Sequence, residues 1–486
     1  MSRILTVAAA VLSLGLGACS SDDGTKSEDG DITFNSDSLQ PGDDGYLLPD
    51  GATPPDQDGP GDDTEPGFDV GDADLFVEPG GPGNEEFPVN SYTMEDQKNP
   101  NMALMSDGSF VIVWQSGKNV STAPQDGSGW GVIAKHFRKN GAPYADEFVV
   151  PTTTQGSQTR PAVAGRPDGA YWVLWEGEGL FEGSLKDIGA KAFDLMGEVL
   201  ANERRLNAKV DSNQTQPAAF VNARGDLIAI WQSDGSVDGS SDGIYGQHYL
   251  GGLVMKGADY RVNSYTKDSQ RDPSLGFHTD GSFVVAWTSE GQDNGIGNGV
   301  FAQRYTDAVA GTGEFVVNSE LVGQQEKPDV AFLPDGRFVL VWQSFPGQDG
   351  DGSGIFGQIF SQAGTKVGAE FRLNEVTAGQ QTQPRIAGLP DGGYVVVWQS
   401  CPNTDSGIGG DGNDCGIIGR RFSGDTPVTG DFVVNQTTAG VQEAPRILSL
   451  GDGAFVVVWN SIGQDLASEP KGYGLFARRF PIGFKP

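Results

Sequence analysis

Hydrophobic and polar positions follow one another in short, regular bursts along most of this chain. LPDGGYVVVWQS, Leu389 to Ser400, shows the pattern: a turn, then five β-branched or aromatic residues, then a polar close. Close relatives of the core phrase recur at 106–116, 167–177, 223–233, 279–289, 334–344, 390–400 and 451–461. Their tryptophans, Trp114, Trp175, Trp231, Trp287, Trp342, Trp398 and Trp459, are spaced by 61, 56, 56, 55, 56 and 61 residues. A long, near-constant period signals a repeat architecture. Each period holds four strand-like pieces. The first follows a proline, as in Pro384–Leu389; an Asp-Gly turn then admits the positive φ of a tight hairpin. The second is of the type YVVVW, the third of the type Ile355–Phe360, and the fourth of the type Phe371–Asn374. Four short antiparallel strands per period, repeated seven times, predict an all-β, seven-bladed β-propeller of four-stranded blades. The last period stops after three strands, at GLFARRF, while an extra strand-like piece, Phe87-Pro88-Val89-Asn90, precedes the first. That complement predicts closure by the N-terminal strand, with Pro88 tolerated on an edge.

The start of the chain reads differently. Arg3 and the apolar run Ile4–Leu16 form an export signal too short to span a bilayer stably. The run ends in Leu16-Gly17-Ala18-Cys19, which resembles the lipobox of bacterial lipoproteins. The resemblance implies cleavage before Cys19, a lipid such as palmitate on Cys19, and, with Ser20 after it, an outer-membrane lipoprotein. The predicted divisions are 1–18, signal peptide; 19–85, lipidated Cys and acidic disordered linker; and 86–486, propeller. Residues 20–86 carry 20 Asp/Glu and one Lys, so this stretch supplies −19 of the total −33. Acidic, Pro/Gly-rich sequence cannot bury enough apolar surface to fold. As a coil of 67 residues it reaches roughly 45 Å.

Of three cysteines, Cys401 and Cys415 remain after lipidation. In an exported protein they are expected to form a disulfide. The repeat itself resembles bacterial surface repeats of the pattern EF-x-VN…Q-x-x-P…DG-x-FVVxWQS…DG…GQRF. The resemblance covers about residues 86–480 and implies extracytoplasmic surface display, with a binding role.

Candidate chemistry is sparse. Gln97, Gln158, Gln214, Gln270, Gln325, Gln381 and Gln442 each stand three residues before a proline. Two readings apply: amides satisfying backbone groups where one blade crosses to the next, or a channel-mouth ring gripping a polar ligand. Strand parity puts these links and the loops after WQS on one face. The loops are rich in Asp and Gly, and some invite calcium. Asp349, Asp351 and Ser353 resemble the first half of an EF-hand loop, although Phe360 stands where its bidentate Glu belongs. The segment with Asp411 and Asp414 resembles a half-turn of a calcium-binding nonapeptide repeat. The competing reading is that Asp and Gly make good solvated turns.

Gly352–Gly357 fits G-x-G-x-x-G but precedes a strand, which argues against dinucleotide binding. His136, His248 and His278 fall in separate repeats. From residue 87 onward, 45 acidic against 30 basic residues leave −15, which disfavours nucleic acid. The sequence therefore predicts a monomeric, membrane-anchored module that binds a protein, a polysaccharide or a surface. A polysaccharide-acting hydrolase or lyase is one alternative. A scaffold like the propeller lipoprotein of outer-membrane barrel assembly is another. A single site must break the symmetry, and the loops at 117–129, 177–187 and 401–415 depart most from the repeat.

Overall fold

The structure, a computed structural model, describes residues 80–117, 125–181, 185–234, 241–251, 254–293, 297–306, 309–402, 409–464 and 472–484. The segment expected to be a signal peptide, Cys19 and almost all of the expected acidic linker lie outside the described residues, as do parts of the loops at 117–129, 177–187 and 401–415. All described residues belong to one compact unit, Phe76–Pro486. Among them, no helix is long and apolar enough to cross a membrane.

The fold is all-β, built of antiparallel four-stranded units in simple chain order, an arrangement consistent with a β-propeller. In the sixth repeat, Gln380–Gly388, Tyr394–Cys401 and Gly416–Ser423 pair in succession, and the short strands Thr426–Pro427 and Phe432–Val433 complete the edge. The hairpin between the first two strands is closed as its residues demand. Gly392 adopts φ 83°, and Asp391 accepts the Gly393 N–H at 3.0 Å. The second strand is buried on both faces in every repeat, which explains its unbroken apolar run.

The first strands begin earlier than their sequence suggests. The expected start was Pro384, yet the strand runs from Gln380 straight through the proline. The register slips between Thr382 and Arg385, and Gln383 takes φ 55°. Such a bulge lifts the proline out of the ladder, so its missing N–H costs no pairing. The same slip recurs in every repeat. Asn99, Arg160, Gln216, Asp272, Lys327, Gln383 and Ala444, each just before the proline, have φ between 49° and 55°.

Seven core clusters among the described residues each join two successive sheets. Phe338, Leu340 and Trp342 pack on Val284, Ala286 and Val300 of the sheet before. Trp231 packs on Trp172 and Leu174 in the same way. One cluster joins the last sheet to the first: Phe87, Val89, Trp114 and Ile133 sit with Leu450, Val456 and Leu475. The strand Glu86–Pro88 pairs antiparallel with Tyr473–Phe480.

The E and N of EF-x-VN have defined tasks. Asn374 Oδ1 accepts the Ile355 N–H at 2.8 Å, and its Nδ2 donates to Val376 O at 3.0 Å. Asn207, Asn263, Asn318 and Asn435 accept the N–H at the start of their third strands in the same way. Asn90 does so for Leu475 in the last repeat, 385 residues away. The acidic residue caps the link left by the preceding sheet. Glu147 accepts from the Ser91 and Tyr92 N–H groups, Glu203 from Thr152 and Thr153, and Glu370 from Ser319. Glu86 does the same for Gln436 and Thr437.

Candidate functional site

The seven repeat glutamines are buried to within 1% exposure, so none of them faces an opening. Gln97 and Gln214 accept the indole N–H groups of Trp114 and Trp231, each at 2.8 Å. Their amide nitrogens turn back to Glu95 O and Ser212 O. Gln158, Gln270, Gln325, Gln381 and Gln442 donate to carbonyls two or three residues upstream. These amides hold the crossing between sheets. Gln214→Leu is therefore expected to lower stability by about 2–3 kcal/mol, because Trp231 N–H and Ser212 O lose their partners in the interior. Denaturant unfolding checks this.

The Asp/Gly loops and the inter-sheet links do lie together, but their carboxylates are already engaged. Asp349 accepts from Asn374 Nδ2 at 2.8 Å and from the Asp351 N–H at 3.4 Å. Asp351 accepts from the Gly379 N–H at 3.2 Å, and the Ser353 hydroxyl donates to Gln380 at 2.9 Å. Asp411 accepts from Asn435 Nδ2 at 2.6 Å and from the Asn413 and Asp414 N–H groups. Asp414 accepts from the Cys415 N–H at 3.0 Å. The five candidate calcium ligands thus staple each loop to its own link or close their own turn. Among the described residues, no three His, Cys, Asp or Glu side chains gather as a metal site. Cys401 and Cys415 are joined by a disulfide.

The histidines stay apart in role. His136 meets the Ser109 hydroxyl at 2.6 Å and Leu195 O at 2.7 Å. His248 stands 3.4 Å from Asp226, and His278 3.1 Å from Asp280. Each faces the turn of its own first hairpin.

The strongest departure from seven-fold regularity lies elsewhere. The seven first strands together line one cavity of about 710 Å³. The bulge at each proline re-aims the chain, and the residues on both sides of the proline border this cavity in every repeat. Before the proline they read Asn99, Arg160, Gln216, Asp272, Lys327, Gln383 and Ala444; after it, Asn101, Ala162, Ala218, Ser274, Asp329, Arg385 and Arg446. The left-handed backbone before the proline is held from the neighbouring sheet. Gln115 accepts the Arg160 N–H at 3.1 Å, Glu176 the Gln216 N–H at 3.0 Å, and Gln343 the Gln383 N–H at 3.0 Å. That is the task of the residue after the tryptophan, most often the Q of WQS.

The charges of the wall are uneven. Arg160, Lys327, Arg385 and Arg446 face only two carboxylates, Asp272 and Asp329, in a folded region that is acidic as a whole. Among the described residues, none of the four cations is in an ion pair. Arg385 donates to Pro384 O at 2.7 Å, and Arg446 to Pro445 O at 3.4 Å. Asp329 already accepts from the Ser274 hydroxyl at 2.7 Å and the Ile386 N–H at 3.0 Å. Burial, then repulsion from Arg385, pulls the Arg446 pKa down to about 9 against the attraction of Asp329. Burial pushes the Asp272 carboxyl above its usual range, against the pull of Arg271 and Lys327.

A cation whose folded pKa lies below its unfolded value lowers stability at every pH below the folded value. The deficit fades as pH rises through about 9 toward the ordinary guanidinium range. Arg446→Met is thus expected to melt a few degrees higher than the parent at pH 7 without ligand. The gap should narrow above pH 9; a parent that melts higher at pH 7 contradicts this.

The long loops draw attention to asymmetry by their length, and these positions do not. The signal was present in the two variable residues flanking the one proline that every repeat keeps.

No family model matches the chain, and no curated protein matches it. Among solved structures, it is similar to the polysaccharide lyase Uly1, at 10% identity over 81% of this chain and 89% of that one, with a TM-score of 0.46. It is also similar to an α-L-arabinanase of Penicillium chrysogenum, at 13% identity over 69% and 96%, TM-score 0.45. A third is the Hadza microbial sialidase Hz136, at 11% identity over 76% of each chain, TM-score 0.41. At such scores the likeness speaks to neither ligand nor reaction.

Proposed function

We propose that this chain is a lipid-anchored, extracytoplasmic binding module: a closed, seven-bladed β-propeller whose ligand occupies the cavity along the first strands. One observation carries the reading. Architectural positions repeat in all seven units, whereas the cavity-lining positions beside the proline differ from unit to unit. Asn101, Gln216, Ser274 and Gln383 add amides and a hydroxyl to the charged wall, which suits a polar, hydroxyl-rich ligand such as a glycan. Closure is supported by the core cluster joining first and last sheets and by Glu86, which caps Gln436 and Thr437 as its counterparts cap other links. Anchoring rests on Leu16-Gly17-Ala18-Cys19; labelling with radioactive palmitate should mark the parent and not Cys19→Ser.

The ligand reading is tested by a glycan array with the intact protein and two variants. Ala218→Trp, which fills the cavity, should lose the signal, and Asp414→Asn, on the loop face, should keep it. Loss only with Asp414→Asn would move the site to the loops.

A second reading, a polysaccharide-acting hydrolase or lyase, is favoured by one feature. Asp272 and Asp329 border the same cavity, and burial keeps Asp272 closer to its protonated form, as a general acid requires. Turnover of the array ligand by the parent and not by Asp272→Asn would establish it.

A further inference from the structure

The wall formed by the last two first strands carries two arginines side by side. Arg385 and Arg446 hold the same register position, one residue after the proline, on neighbouring strands, Gln380–Gly388 and Gln442–Ser449. These strands are in contact. Both side chains border the cavity, and both arise where the other repeats carry Asn101, Ala162, Ala218, Ser274 or Asp329. Architecture therefore does not require a cation at that register. Two guanidinium groups set side by side repel each other, and the folded chain relieves them poorly. Of the two carboxylates on the wall, Asp329 on Gln324–Phe332 is shared with the Ser274 hydroxyl and the Ile386 N–H, and Asp272 is pushed toward its protonated form by burial. Lys327 enters from the same strand as Asp329, Arg160 from the strand Gln158–Gly165, and Asp272 from Gln270–Phe277. Of these charged groups four are positive and two negative.

The chain is acidic over its folded part, by 45 residues to 30 from position 87 onward. A local excess of cations in a chain that is acidic as a whole marks a place where an anion is favoured against the overall field. Guanidinium is also the side chain best shaped for a planar oxyanion, because its N–H groups form a rigid fork.

We infer that Arg385 and Arg446 form an anion-recognition site in the cavity, and that the ligand is a glycan bearing a carboxylate or sulfate group. This rests on the cavity being the binding site. The oxyanion would complete the charge balance that Asp329 leaves open, and Asn101, Gln216 and Gln383 would meet the ligand's hydroxyl groups. A bound oxyanion beside the two guanidinium groups would supply a counter-charge and favour their charged forms.

The test is calorimetric titration of the intact protein with trigalacturonate, its methyl ester, a sulfated trisaccharide and inorganic sulfate. One or both anionic glycans should bind at least tenfold more tightly than the neutral ester, with affinity falling as salt rises. Whichever of the two binds identifies the anion as carboxylate or sulfate. Arg385→Met and Arg446→Met should each lose most of that preference. Arg421→Gln, which breaks an ion pair with Asp391 at the outer hairpin, should retain it. Arg446→Lys keeps the charge without the fork and should bind at intermediate strength. It keeps the test decisive should Arg385→Met melt early.

Equal binding of acid and ester, abolished by Ala218→Trp, would overturn the anion site and leave the cavity reading intact. Inorganic sulfate binding as tightly as either anionic glycan would overturn the glycan assignment. No binding by any glycan, with an empty array, would overturn both readings.

Discussion

A chain beginning at residue 92 is expected to lose most of its cooperative stability relative to one beginning at residue 80. The removed segment is only a short strand, but it sits in the joint between the first and last sheets. Phe87 is 8% exposed and Val89 fully buried, and both pack against the first and last sheets at once. Large-to-small losses of this kind cost about 3–5 kcal/mol for a Phe and somewhat less for a Val. The hydrogen bonds lost with them include Leu475 N–H to Asn90, Val89 N–H to Leu475 O, Lys135 Nζ to Val89 O and the two link N–H groups on Glu86. Each contributes on the order of 1 kcal/mol. The total, about 8 kcal/mol or more, is comparable with the whole stability of an ordinary domain. In an open stack, loss of one terminal strand would fray one end and leave the main transition in place. Chemical denaturation of the two chains decides the matter: a closed ring predicts a collapse of the midpoint, and an open stack predicts a small shift with the same slope.

The second large effect is expected at the repeated tryptophan. Trp342→Ala should lower stability by about 3–5 kcal/mol. Trp342 has no exposed surface and sits in the cluster that joins its sheet to the one before, among Val284, Ala286 and Phe356. The cavity left behind cannot collapse, because its lining comes from two sheets whose backbones are pinned by caps. The relevant cap is Glu370 on the Ser319 N–H. A change at an exposed side chain such as Val322→Ala, 72% exposed, should stay within about 0.5 kcal/mol of the parent. A loss below about 1 kcal/mol for Trp342→Ala would mean that the sheets do not depend on this contact.

Much of this architecture is legible in the repeat because each of its letters serves one contact. The Asp-Gly pair makes the hairpin. The run of β-branched residues marks a strand buried on both faces. The Trp fills the junction with the preceding sheet. Three things were not legible. The first strand was read as starting at its proline, since proline ordinarily ends a ladder; a left-handed residue before it, held by the neighbouring Gln343 or its equivalents, allows the strand to continue. The Asp-rich loops resemble calcium loops in composition, and the donation of Asn374 and Asn435, from distant parts of their repeats, to the same carboxylates is the part that was hidden. Linear spacing does not show that contact. The cavity residues escaped notice because loops draw attention by length, whereas the informative variation was a single residue on each side of a constant proline.

That variation is the basis of the functional account, and a crystal structure of the intact protein with a bound anionic trisaccharide tests it most directly. The account predicts the carboxylate or sulfate within hydrogen-bond distance of Arg385 and Arg446, inside the cavity bounded by the seven first strands. A ligand seated instead on the loops of Asp349 and Asp411, with the cavity empty of it, would contradict the account.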